Sequence, residues 1–485
     1  DMFTIRNNFA YWCTERRRLK TFSIDSNGDK LTYDNLKEKV KNFSALLRNK
    51  YKITPQQRVG IYINDTVAWP VAFLSCIYIG ANPLLLYRNI LKQDVIKICE
   101  TADCDTIICE QTDTFENFVK IDEESILSCE EQGELMPYKF HPDEMCWWTL
   151  SSGTSGNYQL IVHRHDSFFR MYNVANKRIG ITGDDIILSA AKMAFTFGSY
   201  QLMWTLCHGA TIILIAGAPA PSVVFKLLNE YNCTRLYASP YVVNSLCKKK
   251  DKTMPNETKI IVAGEPLSRQ IRQKCLDLFG KNIIDNYGTS ETWGTIAIQD
   301  TNTDDFFDNI GTILEDVEYK IVNEELYVKH PSRALMYWKN KSANDRAFEG
   351  DWFRTGDRVK VRDDKKIQFL GRIDNQLKIK GIFVSPLEIE NVIMDYEGIE
   401  NCVTVGAKNK DGLNEIHTFI LLSSNTEEFD RKRLQEFIRS KLPKEKVPSD
   451  IHLVEEMPKT INNKTKRKYF IDMLENSRLK NENKV

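Results

Sequence analysis

Short β-branched runs alternate with amphipathic helical segments through the first two-thirds of this chain, and that alternation limits the architectures open to it. Residues 58–63, 106–109, 186–188, 211–215, 258–262 and 282–285 read as buried strands. Between them, 33–50, 69–79, 221–229 and 268–279 carry helical periodicity. Strands separated by crossover helices pair in parallel and need both faces covered, which predicts an α/β fold of helix-covered, mostly parallel sheets. From about residue 325 the pattern shifts to short strands, with 358–362 and 366–370 flanking the turn Asp363-Asp-Lys365. This predicts a small β-rich subdomain. After Asp374 a smaller α+β unit is expected: helix 386–396, strands 401–407 and 416–422, helix 428–441. The last dozen residues, rich in Asn, Lys and Glu, are expected to fray. A chain of 485 residues exceeds one compact core, so the reading is two domains, 1–373 and 374–485.

Charge narrows the function. Lys+Arg and Asp+Glu are both 66, leaving no global field to recruit nucleic acid or an anionic membrane. Basic residues do crowd the segment from Arg431 to Lys484. That is either a solvated helical face or a local attraction for phosphates or an acidic carrier protein. Twelve cysteines at irregular spacings, without a C-x-x-C pair or His partners in metal-ligand register, argue for reduced thiols in a cytoplasmic protein and against a zinc site or disulfide framework. The opening residues lack a basic-then-apolar leader. Residues 193–225 are free of charged side chains, but Gln201, His208, Gly209, Gly217, Pro219 and Pro221 break the run, so it reads as core and not as a membrane span.

Five polar islands punctuate this framework. The first is Thr149-Leu-Ser-Ser-Gly-Thr-Ser-Gly-Asn157, directly after Cys146-Trp-Trp148. Its Ser151, Ser152, Gly153, Thr154, Ser155 and Gly156 can bring hydroxyls and backbone N–H groups close to a phosphate chain. The others are Tyr287-Gly-Thr-Ser-Glu291, Thr355-Gly-Asp357, Gly371-Arg-Ile-Asp374 and Pro458-Lys-Thr-Ile-Asn-Asn-Lys464. Glu291, just beyond a buried strand, sits where open α/β sheets bind ligands.

In this order and at these separations the islands resemble the adenylate-forming superfamily: acyl-CoA and aryl-CoA ligases, peptide-synthetase adenylation domains and luciferases. The resemblance implies a two-step reaction, in which a carboxylate attacks the α-phosphorus of ATP and a thiol then displaces AMP. It implies that Ser151 to Gly156 hold the β- and γ-phosphates. Gly264, Glu265, Asn286, Tyr287, Gly288, Thr289 and Ser290 are expected around the nucleotide, with Tyr287 either stacking on adenine or serving as a core aromatic. Asp357 is expected to accept the ribose hydroxyls, and Arg372 to contact ribose or phosphate. Glu291 is the implied Mg²⁺ ligand, because hard Mg²⁺ takes one or two carboxylates plus phosphate oxygens. Lys464 is the implied catalytic ammonium, bridging attacking carboxylate and α-phosphate. Asp374 is the implied hinge, and Lys378 and Gly381 belong to the thiol step. The acyl acceptor is coenzyme A or a carrier-protein phosphopantetheine, and oligomeric state is not encoded. One departure stands out: the phosphate loop continues as Gly156-Asn-Tyr-Gln159, with Gln159 where the family places lysine. This leaves open a weaker grip on ATP, or a nucleotide-binding protein without catalysis.

The segment Ser189–Gly198, like Ala263-Gly-Glu-Pro-Leu267, is worded like benzoate-type aryl-CoA ligases. Phe195, Phe197, Gly198, Ala263 and Gly264 are expected to form a flat apolar slot. No acidic residue lies between Asp185 and Glu230 to receive an α-ammonium, which disfavours an amino acid substrate. A benzoate or hydroxybenzoate is the expected small carboxylic acid.

Overall fold

The computed structural model describes residues 8–15, 19–130, 133–151, 158–280, 283–300, 309–379, 382–409, 412–424, 426, 429–460 and 464–482. Two large sheets dominate. In the nine-stranded sheet, Thr21–Asp25, Thr211–Leu214, Ile186–Ser189, Arg235–Ala238, Lys259–Val262 and Ile283–Thr289 run parallel in that spatial order. Antiparallel strands close both of its edges. In the seven-stranded sheet, Asn82–Leu85, Arg58–Tyr62, Thr106–Cys109 and Val119–Asp122 are parallel, and Met145–Ser151 joins them. Gln159–Arg164 then returns antiparallel to Met145–Ser151.

Helices fill the space between the sheets. Tyr33–Asn49 starts from a capping box between Thr32 and Asn35. Ala68–Tyr78 is buried along its whole length. Together with Ser167–Ile179 and Thr196–His208 it shares one core with Val59 and Ile61 of one sheet and Ile187 and Ile212 of the other. The uncharged run after Met193 therefore is core, as its interruptions implied, and among the described residues no helix is long and apolar enough to cross a membrane. A third sheet, built from Glu318–Val322, Glu325–Lys329, Phe348–Glu349, Trp352–Val361 and Ile367–Arg372, completes the large N-terminal domain.

Core membership changes hands around residue 374. Ile367 packs into the large core, whereas Ile379 and Val384 pack with Ile389, Ile420 and Ile438 of the smaller C-terminal domain. That domain is a three-stranded sheet, Ile399–Lys408, Asn414–Leu422 and Asp450–Val454, with helices Pro386–Met394, Arg431–Lys441 and Arg467–Glu482. The expected fraying of the end is corrected here. Residues 467–482 form a helix, because Phe470 is buried against Val403, Val405 and Phe419 and anchors good helix formers behind it.

Candidate active site

Most of the polar islands meet at the C-terminal ends of the parallel strands. Tyr287 lies on Ile283–Thr289, and its hydroxyl donates to Asp357 Oδ2 at 2.5 Å. Asp357 and Arg372 are register partners on adjacent antiparallel strands. Arg372 Nη1 donates to Asp357 Oδ1 at 2.9 Å and to the Thr355 carbonyl at 2.8 Å. The carboxylate is 4% exposed. Burial pushes its pKa up, and the Arg372 guanidinium opposes that. The same burial, with Asp357 adding to it, lifts the Tyr287 phenol well above its ordinary range, so Tyr287 is the proton donor of the pair. Gly356 has φ of +69°, and a Cβ there would sit 3.1 Å from the Arg372 guanidinium, so the turn favours glycine on two counts.

Glu291 faces this cluster from the loop after the strand. Its Oε1 accepts from the Tyr337 hydroxyl at 2.7 Å, and its charge reaches Arg372. Its backbone carbonyl accepts from Ala334 N at 2.6 Å, which ties the loop to the crossing segment that carries Tyr337. Ser290 Oγ lies 3.1 Å from Thr196 Oγ1 at the start of helix Thr196–His208. Thr289 hydrogen-bonds Thr292 across the turn. Gly288 cannot carry a side chain, since a Cβ would come within 2.0 Å of the Gly294 carbonyl.

The aromatic segment is folded tightly on itself. Phe195 N and Gly198 N donate to the carbonyls of Lys192 and Phe195. A Cβ at Gly198 would meet the Lys192 carbonyl at 2.0 Å, so this glycine closes the turn and does not open a slot. Asp65, from the other sheet, accepts the Met193 N–H at 3.0 Å and faces the Lys192 charge. Burial pushes its pKa up to about 6. Phe195 packs on Tyr87 with ring centroids 4.9 Å apart, while Phe197 meets Tyr237 edge-on at 5.8 Å. Beside Tyr237 opens a cavity of about 270 Å³ whose lining mixes Ile261, Ile284 and Ile298 with Arg235, Lys259 and Asp300, so it is polar and reaches the N-terminal ends of the strands, opposite the polar islands. The Tyr237 hydroxyl is buried and faces the Arg235 guanidinium; burial raises its pKa and Arg235 opposes that. Ala263 is half-buried, and Gly264, at φ of +103°, is exposed with open space where a side chain would be.

Of the first island, Ser151 ends its strand opposite Gln159; Ser152 to Gly156 lie outside the described residues. Gln159 Oε1 accepts from Asn340 Nδ2 at 3.3 Å. His163, buried beneath it, stacks on Trp147 and lies 3.1 Å from Thr149 Oγ1, and burial pushes its pKa down to about 3.

The C-terminal domain brings its last island to the same place. A closed loop, with Thr460 N donating to the Lys464 carbonyl at 2.7 Å, carries Lys464 close enough for its charge to act on Asp357. The next residue crosses the domain boundary: Thr465 N donates to Glu265 Oε1 at 3.0 Å. Arg467 holds the loop to its own domain through Glu390 Oε2, at 2.7 Å, and the Thr404 carbonyl, at 2.8 Å. Lys466 is exposed. Asp374 lies in the turn Ile373–Asn375, and Lys378 in the hairpin that follows, away from the hydrogen bonds described above. Gly381 lies outside the described residues.

Tyr337, Tyr237 and Asp65 were invisible to sequence reasoning. Tyr337 lies 46 residues from its partner Glu291, and no local spacing links a lone tyrosine to a distant carboxylate. Asp65 sits between Asn64 and Thr66, a polar trio that reads as a surface turn.

Comparison with known proteins agrees with this geometry. Residues 9–338 match the family model described as AMP-binding enzyme, and 388–464 match the AMP-binding enzyme C-terminal domain. The benzoate–CoA ligase of Thauera aromatica is 28% identical, with 92% of each chain covered. The 4-hydroxybenzoate–CoA/benzoate–CoA ligase of Rhodopseudomonas palustris is 27% identical, covering 91% of this chain and 89% of the relative. The solved benzoate CoA ligase of Burkholderia xenovorans superimposes with a TM-score of 0.86 at 26% identity, over 96% of this chain and 99% of the other.

Proposed function

We propose that this chain, which belongs to the AMP-binding enzyme family, activates an aryl carboxylic acid with ATP and transfers the acyl group to coenzyme A. Membership makes it an acid–thiol ligase of the adenylate-forming class. The observation that carries the finer reading is the 3.0 Å hydrogen bond from Thr465 N to Glu265 Oε1, which seats the residue after Lys464 against the large domain, across two separate cores.

In the first half-reaction an oxygen of the acid's carboxylate bonds to the α-phosphorus and pyrophosphate leaves. Negative charge grows between the reactants, and preorganised cations there lower the barrier most. Lys464 supplies one from the small domain and Arg372 another from the large one. Asp357 and Tyr287 supply ribose partners, and Glu265, Asn286 and the 288–290 turn frame the nucleotide. Glu291 fits a Mg²⁺ ligand: Tyr337 holds Oε1, which leaves Oε2 directed by a fixed carboxylate. Mg²⁺ there supplies neutralisation of phosphate charge. In the second half-reaction a thiol sulfur bonds to the acyl carbon and AMP leaves. The switch uses a hinge at Asp374, between domains 1–373 and 374–485, and brings Lys378 and Gly381 to the thiol.

The relatives support the acid's class, since benzoate–CoA and hydroxybenzoate–CoA ligases match nearly the whole chain. Phe195 and Phe197 add aromatic surface near the site, and no acid between Asp185 and Glu230 is present to receive an α-ammonium. A benzoate or hydroxybenzoate fits both observations. The test is ATP–pyrophosphate exchange across benzoate, 3- and 4-hydroxybenzoate, medium-chain acids and amino acids, followed by thioester formation with coenzyme A or a holo carrier protein. Strongest exchange with benzoate or a hydroxybenzoate is the expected result. Exchange driven best by an amino or aliphatic acid overturns the acid assignment; exclusive use of the carrier protein overturns the acceptor.

A further inference from the structure

The C-terminal domain holds a second chemically distinct cluster. Strands Asn414–Leu422 and Asp450–Val454 run parallel in a fixed register that pairs His417 with Asp450 and Phe419 with His452. Side chains two apart along a strand share a face, so His417, Asp450 and His452 emerge together. His417 Nδ1 lies 3.1 Å from His452 Nε2, and His452 Nε2 lies 3.7 Å from Asp450 Oδ2. All three ligand atoms fall within 4.8 Å of one another.

The geometry points to a binding site for a borderline divalent transition metal, with Zn²⁺ the leading ion. Bonds of about 2.0–2.2 Å in tetrahedral array put neighbouring donors about 3.3–3.5 Å apart, and the two separations above bracket that edge. The donors are also held in place. The His452 ring stacks on the buried Phe419 ring at 4.6 Å, and His417 stacks in turn on His452. Asp450 Oδ1 is taken by Ile451 N at 2.8 Å and faces Arg431 at 3.8 Å, so Oδ2 is the oxygen left toward the histidines. Glu415 is the other charge facing His417, and its carboxylate accepts from Asn409. Two imidazoles and one carboxylate suit Zn²⁺, Ni²⁺ or Cu²⁺ and disfavour Mg²⁺, which wants oxygen ligands. Bound there, the ion would pin the edge strand that leads directly into the loop carrying Lys464.

The experiment is calorimetric titration of chelator-treated, tag-free enzyme with Zn²⁺, without nucleotide. The wild type is expected to bind one equivalent that His417→Ala and His452→Ala lose, and that Asp450→Asn weakens at least tenfold. Glu291→Gln should keep it. Mg²⁺-dependent pyrophosphate exchange and circular dichroism of the His452→Ala enzyme should match wild type, which separates loss of the ion from loss of the fold. Co²⁺ absorption of tetrahedral type, present in wild type and absent in His452→Ala, is a second expected readout. Equal zinc uptake by wild type and both histidine variants, or none by wild type, overturns the site and leaves a plain imidazole–imidazole hydrogen bond.

Discussion

Tyr337 and Glu291, 46 residues apart in the chain, share a 2.7 Å hydrogen bond that fixes one carboxylate oxygen and leaves the other free. Burial and the neighbouring Glu291 charge raise the Tyr337 phenol well above its ordinary range, so it stays a donor at every working pH. A hydrogen bond to a charged group is worth about 1.5–3 kcal/mol, enough to orient a metal ligand. Tyr337→Phe should therefore raise the Mg²⁺–ATP requirement roughly tenfold while the KM for the acid stays put. Titration of Mg²⁺ and ATP in the exchange assay checks this; an unchanged metal dependence would detach Tyr337 from the site.

Lys464→Ala is expected to slow acyl-adenylate formation by about a hundred- to a thousandfold, the loss typical of one preorganised charge in a transition state. Thioester formation from supplied acyl adenylate should be spared under the proposed domain switch, which takes the loop out of the site. Lys466→Ala, at an exposed position two residues on, serves as the control and should behave as wild type. Equal loss in both half-reactions would contradict a role confined to adenylation.

Gln159 faces Asn340, which already caps the next helix by accepting from Ala343 N at 3.0 Å. A lysine in its place would add the cation that other family members bring to the phosphate loop. Gln159→Lys should lower the KM for ATP roughly tenfold, matching one charge-assisted hydrogen bond. Steady-state kinetics at fixed acid and thiol decide it, and a higher KM would refute the weak-grip reading.

Acid sensitivity follows from three buried imidazoles. Burial pushes His163 and His165 down to about 3 and His330 to about 4, from an ordinary 6.5. A base with a lowered folded pKa contributes stability above about pH 6.5 and loses it as pH falls, because the unfolded chain binds the extra protons. Asp65 and Asp285, pushed up to about 6 by burial, act in the opposite sense between about pH 6 and 4. Glu123 and Asp357 are raised as well, while His417 and His452 are lowered, so the imidazoles keep the larger share. Tm is expected to fall between pH 6 and 4.5, read by differential scanning fluorimetry. A flat or rising Tm would rule the balance out.

Local chemistry made much of this molecule legible. Alternating β-branched runs and amphipathic periods announced parallel sheets, Gly288 sits where the backbone leaves no room for a Cβ, and Gly356 takes a positive φ beside the Arg372 guanidinium. Asp363-Asp-Lys365 forecast its hairpin, and the register that resulted sets Arg372 against Asp357. The last dozen residues were expected to fray, yet helix 467–482 runs into them, because their polar composition hides the anchoring of the helix upstream at Phe470.

The sequence by itself determined which residue types were available for the chemistry and in what order, since motif spacing and periodicity are properties of neighbours along the chain. Only the tertiary structure decided who partners whom. Tyr337 on Glu291, Asp65 beneath the Phe195 turn and Thr465 on Glu265 join residues 46, 128 and 200 positions apart. For Asp65, the pairing follows from burial: an acid shut away from water must find its donors wherever folding brings them, and no local pattern records that choice.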